Sequence, residues 1–322
     1  MLRSGLKAPA SIKANGLADQ YKDGNTSSAW LWAPTHLKES RLSWRTQIKS
    51  YLMELVATWI FVFCLGFAVV TAANNGTDMA LRSLTVAIVA FGSYMMVTGW
   101  LRLPEEELPR LAMWILTLSR LVTLRLGLFH ALFYVLAQFI GMILGALLLV
   151  AFGTGATSEH VYIPSYSGNF LGSWAAELFG SSFIVMAYLY NSMSGVEHEK
   201  EHEHQRDGEM AAAVVRGIST LLFFRLGHWT FDPVVYLAGL FAAAFSTNPT
   251  TWLSDTNMTR LSAGFFIGVP LIGMVIGVVV YLILLFLSYH GEDDKRRIAK
   301  GAKLVHSVDG RITHTQYTKM AE

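Results

Sequence analysis

Charge is what this chain of 322 residues has least of: Asp, Glu, Lys and Arg make up 15% of it, against about 25% in an ordinary soluble domain. Most of that charge lies in the first 50 residues, the last 30 and one short central run, so the remainder is more apolar than the average implies. That pattern excludes a water-soluble globular chain and indicates a membrane-embedded core with polar ends. There is a single cysteine, Cys64, set in an apolar run. No intrachain disulfide and no cysteine-based zinc site can therefore form. The formal net charge is +2, which gives no electrostatic footprint for nucleic acid. No nucleophile–base constellation, phosphate loop or metal cluster occurs within the apolar runs, so neither an enzyme nor a cofactor is expected.

Long apolar runs are what the chain does have. A membrane span needs roughly 20 mostly apolar residues. Six stretches qualify: Met53–Ala73, Ser83–Leu101, Leu126–Phe152, Gly172–Asn191, Met210–Phe224 and Leu261–Tyr289. The fifth is short and interrupted by Arg216. Leu108–Leu118 and Pro233–Phe245 are too short to cross. Each of these two opens at a proline after a polar, turn-prone loop, and proline suits the first helical turn because the amide it lacks would be unpaired there. They are expected to be re-entrant half-helices.

Basic residues set the orientation. They crowd the N-terminal arm (Lys38, Arg41, Arg45, Lys49) and the tail (Lys295, Arg296, Arg297, Lys300, Lys303), while residues 153–168 carry none. Six spans with both termini cytoplasmic satisfy this bias. The sequons Asn75-Gly76-Thr77 and Asn257-Met258-Thr259 then face outside.

The two halves of the chain resemble each other. The first span reads Glu54-Leu-Val-Ala-Thr58, the fourth Glu177-Leu-Phe-Gly-Ser181. From Glu54 to Leu108 is 54 residues, and from Glu177 to Asp232 is 55. With three spans per half, the second copy is inverted relative to the first, and such repeats place a pathway near the midplane.

Over residues 50 to 289 the chain resembles the major intrinsic protein family, the aquaporins and aquaglyceroporins. The resemblance rests on Ala90-Phe91-Gly92 in the second span, Ala137-Gln138-Phe139-Ile140-Gly141 with Gly145 in the third, Ala176-Glu177-Leu178-Phe179-Gly180-Ser181 in the fourth, and Gly268-Val269-Pro270-Leu271-Ile272-Gly273 with Gly277 and Tyr281 in the sixth. Small residues one turn apart let helices approach closely in lipid. The resemblance implies an all-α aquaporin-like bundle of six transmembrane helices plus two re-entrant half-helices. It also implies passive transport of water or a small neutral solute such as glycerol, and a homotetramer with one pore per subunit.

Where the family carries Asn-Pro-Ala triplets, this chain matches Leu108-Pro109-Arg110 and Asp232-Pro233-Val234, with both asparagines absent. Leu108 cannot cap a helix or donate to a permeant. Asp232 is a good cap, but when ionised it only accepts. Arg110 either pairs with Asp232 across the pore centre, or turns to Glu106 or Glu107, or leaves a wet pore. Phe91, Thr220, Trp229 and Val235 are the expected outer constriction, a ring read as bulky, apolar and lacking a donor. Glu54 and Glu177 match family glutamates that hold the half-helix loops.

The expected organisation is a cytoplasmic arm (1–50), a first half-repeat with the fourth span (51–192), a charged His-rich loop (193–209), the rest of the second half (210–289) and a cytoplasmic tail (290–322). In the loop, His198 and His202 stand four apart, a spacing open to zinc on a helix, though a solvated linker is the simpler reading. Residues 1–18 hold Arg3, Lys7 and Lys13 and no acidic residue before Asp19, which faintly resembles a mitochondrial presequence; the expected membrane is the plasma membrane or that of an organelle, the mitochondrion included. The expected function is a degenerate, poorly conducting channel. The alternative is a non-conducting structural subunit of a larger membrane assembly, with other membrane subunits as partners besides the lipid bilayer.

Overall fold

The computed structural model of the protein describes residues 44–74, 78–99, 111–152, 170–193, 201–226, 230–245 and 264–287. The described elements are helical: α1 (Trp44–Asn74), α2 (Met79–Gly99), α3 (Trp114–Val122), α4 (Leu128–Phe152), α5 (Phe170–Met193), α6 (Glu201–Phe223) and α7 (Pro233–Phe245), followed by α8 (Gly264–Leu287). A 3-10 turn, Phe224–Leu226, closes α6. By length and composition α1, α2, α4 and α8 suffice to cross a membrane. Helix α5 is 24 residues long and α6 is 23, the latter with a charged first half. Helices α3 and α7, at 9 and 13 residues, are too short to cross.

Glycines set the helix pairing. A Cβ on Gly141 of α4 would collide with the Leu55 carbonyl of α1, and one on Gly145 would come within 2.9 Å of Val62. In the other half, a Cβ on Gly273 of α8 would collide with Ser181 of α5, and one on Gly277 would lie 2.6 Å from the Ser182 carbonyl. Ser182 Oγ also donates to the Gly273 carbonyl at 2.9 Å. The glutamate-bearing helix of each half is therefore clasped by a later helix through two glycines one turn apart, as small-residue packing in lipid requires. Gly217 of α6 lets α2 approach in the same manner, close to Phe91 and the Ala87 carbonyl.

Buried apolar residues from all eight helices and the segments before α3 and α7 form one continuous cluster, among them Phe61, Leu65, Tyr94, Tyr134, Phe231 and Val278. The outward faces are apolar too. Ile88, Leu132, Leu136, Ile218, Leu222 and Ile283 are all exposed, which suits hydrocarbon rather than water.

Candidate functional site

The two short helices meet through their N-termini, and two buried glutamates position the chain that leads into each. Glu54 of α1 accepts the Leu111 amide at 3.1 Å and the Ala112 amide at 2.6 Å. Gln138 of α4 donates to the same carboxylate at 2.6 Å and to Thr117 Oγ1 at 2.9 Å. In the other half, Glu177 of α5 accepts the Phe231 amide and the Thr230 hydroxyl, both at 2.8 Å. Ala112 and Phe231 both adopt left-handed backbone, φ 51 and φ 48, at a cost of roughly 1–2 kcal/mol each for an L residue. The glutamate bonds hold these two turns, which aim the next residue at the partner helix.

These matched turns fix the register of the repeat. Ala112 corresponds to Phe231, Met113 to Asp232 and Trp114 to Pro233. Helix α3 therefore begins at Trp114, with Met113 at its cap position and no side-chain cap bond. It starts five residues beyond the Leu108-Pro109-Arg110 register expected from the proline. The signal that decided the register is an amide row within reach of Glu54, not the proline. Leu108, Pro109, Arg110 and Trp229 lie outside the described residues, as do His198 and both sequons. Helix α7 begins at Pro233.

Asp232 supplies what Met113 lacks. One of its oxygens accepts the Val234 amide at 2.8 Å, capping α7, and the other accepts the Ile115 amide of α3 at 2.9 Å. A single buried carboxylate thus caps two half-helices, at the positive ends of both dipoles. In this position its oxygens are turned to backbone amides.

Beside it lies Arg216 of α6, the largest fully buried side chain of the described residues. Its guanidinium stands 5.2 Å from the Phe231 ring centroid and 5.7 Å from that of Phe61. Asp232, Glu177 and Tyr94 are the neighbours whose charges act on it. The charges of Glu177 and Asp232 act on this cation, and the half-helix N-termini add about half a positive charge each. A charge at this depth costs about 2.5–3.5 kcal/mol on insertion scales unless compensated. The ring contacts return up to about 2 kcal/mol when desolvated. The signal that could have marked Arg216 was present in the sequence: it is a lone arginine inside an apolar span.

Of the residues expected to form the constriction, Thr220 and Val235 are buried. The Thr220 hydroxyl donates back to the Arg216 carbonyl at 2.9 Å. Phe91 is 39% exposed, and Tyr94, one turn on, has no exposure. The Tyr94 hydroxyl donates to the Leu111 carbonyl at 3.1 Å, tying α2 to the turn before α3. Toward the other end of α3, Arg120 donates to the Tyr188 hydroxyl at 3.1 Å.

Two half-helices capped nose to nose between paired, glycine-clasped helices define the class: an all-α membrane protein with the aquaporin-like bundle. The solved structures agree. The X-ray structure of the aquaglyceroporin from Plasmodium falciparum matches over 73% of this chain and 93% of its own, at TM-score 0.52 and 16% identity. At that identity the likeness is one of fold. No family profile and no curated protein matches the sequence.

Proposed function

We propose that this chain is a membrane channel protein of the aquaporin kind, for passive movement of water or small neutral solutes, whose path is closed at mid-membrane and conducts poorly. The observation that carries the reading is the filling of the point where the half-helices meet. Arg216, Phe61, Tyr94 and Phe231 have no exposed surface there. A permeant at that point needs donors and room. Asp232 offers only acceptor oxygens, both engaged by backbone amides, and a packed aromatic constriction resists wetting. The fixed guanidinium adds a barrier to cations. The fold shared with a protein titled an aquaglyceroporin supports the small neutral class of permeant. A homotetramer with cytoplasmic termini, in the plasma membrane or an organelle membrane, completes the proposal.

The second reading keeps the fold without the flux: a structural subunit of a larger membrane assembly. It is favoured by the same filled centre. Stopped-flow osmotic swelling of reconstituted vesicles separates the two. The native protein is expected to raise water or glycerol permeability only slightly above that of bare lipid. Arg216→Ala, provided it melts cooperatively, is expected to raise it clearly. A folded Arg216→Ala protein that stays at the bare-lipid rate for both solutes would leave the structural-subunit reading in place of the channel.

A further inference from the structure

Helix α1 is 31 residues long, and its two sides differ near the start. Ser50, Glu54, Ala57 and Phe61 are buried and mark the inner face. Tyr51, next to them, stacks on Phe133 of α4 with ring centroids 5.2 Å apart. On the opposite side Arg45, Lys49 and Leu52 are exposed, flanked by exposed Trp44 and Ile48. Arg45 and Lys49 stand four apart, so they lie one above the other on a single face. Among the described residues, neither has a hydrogen bond or ion pair.

Depth gives this pair its meaning. The point where α3 and α7 meet lies near the midplane of an inverted repeat, and Glu54 bonds the turn just before α3. At about 1.5 Å per residue, Lys49 lies about 7.5 Å and Arg45 about 13.5 Å along α1 from Glu54. Half the hydrocarbon thickness is about 15 Å. Both positions therefore fall within the hydrocarbon of one leaflet, on the side of α1 turned away from the bundle. Long basic side chains at such positions run their stems along apolar surface and lift their charged ends toward the headgroups. Ile48 and Leu52 supply that surface. Trp44, about 15 Å from Glu54 by the same rise, stands at the boundary where tryptophan anchors.

We propose that this face of α1 holds one anionic phospholipid, its phosphate bridging Arg45 and Lys49 and its acyl chains lying along Ile48, Leu52 and Val56. Guanidinium and ammonium groups both donate charge-assisted bonds to phosphate oxygens. A zwitterionic lipid offers the same phosphate but brings its own cation beside two more. An acidic protein segment fits less well, because at this depth its backbone amides and carbonyls would go unpaired in lipid.

The purified full chain in maltoside micelles is titrated with dioleoyl phosphatidylglycerol and, in parallel, with dioleoyl phosphatidylcholine, and its melting temperature is followed. Phosphatidylglycerol is expected to raise it saturably, and phosphatidylcholine to need about tenfold higher concentration for the same shift. The double variant Arg45→Gln, Lys49→Gln changes only exposed side chains, so it should fold like the native chain and respond equally to the two lipids. Lys49→Arg keeps the charge and should keep the preference. Arg225→Gln, which removes an exposed charge in the turn that closes α6, should keep it too. Equal responses of the native chain to both lipids, or a preference that survives in the double variant, would overturn the proposal. So would a preference lost in Arg225→Gln, since net charge rather than this face would then set it. A shift given by a soluble glutamate peptide and not by phosphatidylglycerol would overturn it in favour of an acidic protein partner.

Discussion

At the scale of single residues, Asp232 and Arg216 do the most to organise the point where the two half-helices meet. The Asp232 carboxylate satisfies amides at the starts of α3 and α7. Each lost cap typically costs about 0.5–2 kcal/mol, so Asp232→Ala is expected to destabilise by about 1–4 kcal/mol, read as a lower melting temperature in detergent. Arg216 and Asp232 act on each other electrostatically, so their substitutions should not add. Arg216→Met alone removes the cation that acts on Asp232 and Glu177. Arg216→Met combined with Asp232→Asn removes one charge of each sign and keeps a side-chain oxygen for one cap. The double variant is therefore expected to melt above the sum of the single losses, with a coupling of about 0.5–3 kcal/mol, the range for contacting residues. Strict additivity would mean that the two charges do not share an environment.

At the scale of elements, the helices depend on where glycine is required and where it is not. Gly141→Val drives a side chain into the Leu55 carbonyl of α1 and should destabilise the bundle by about 1–3 kcal/mol or more, as overpacking does. Gly92→Ala meets nothing and should stabilise α2 by about 0.5–1 kcal/mol. Thermal melting of the two variants side by side checks the contrast. The small-residue motifs on the third, fourth and sixth spans were legible in the sequence because close helix approach in lipid leaves a local signature. The start of α7 was legible for the same reason, since proline at the first helical position needs no distant partner. The start of α3 was not. Pro109 offered an equally good local signal, whereas the register depends on Glu54 reaching amides 57 and 58 positions away.

At the scale of the whole molecule, the inverted repeat carries a topological consequence. Two half-helices that meet by their N-termini must enter from opposite sides, and their glutamate-bearing helices α1 and α5 must run in opposite directions. Three spans per half reverse the chain between copies, and six bring it back to the side it left. The basic arm and basic tail are then expected on one side, the cytoplasmic one by the Lys/Arg bias. The single cysteine makes this directly testable. In a Cys64→Ala background, a cysteine placed at Lys38 or at Lys303 should resist a membrane-impermeant maleimide added to intact cells and react once the cells are opened. A cysteine placed at Asn257, beyond α7 and before α8, should react from outside without opening. Labelling of positions 38 and 303 from opposite sides would break the even count of crossings. The nose-to-nose geometry of α3 and α7 could then not be reconciled with an inverted repeat, however well the two short helices are capped.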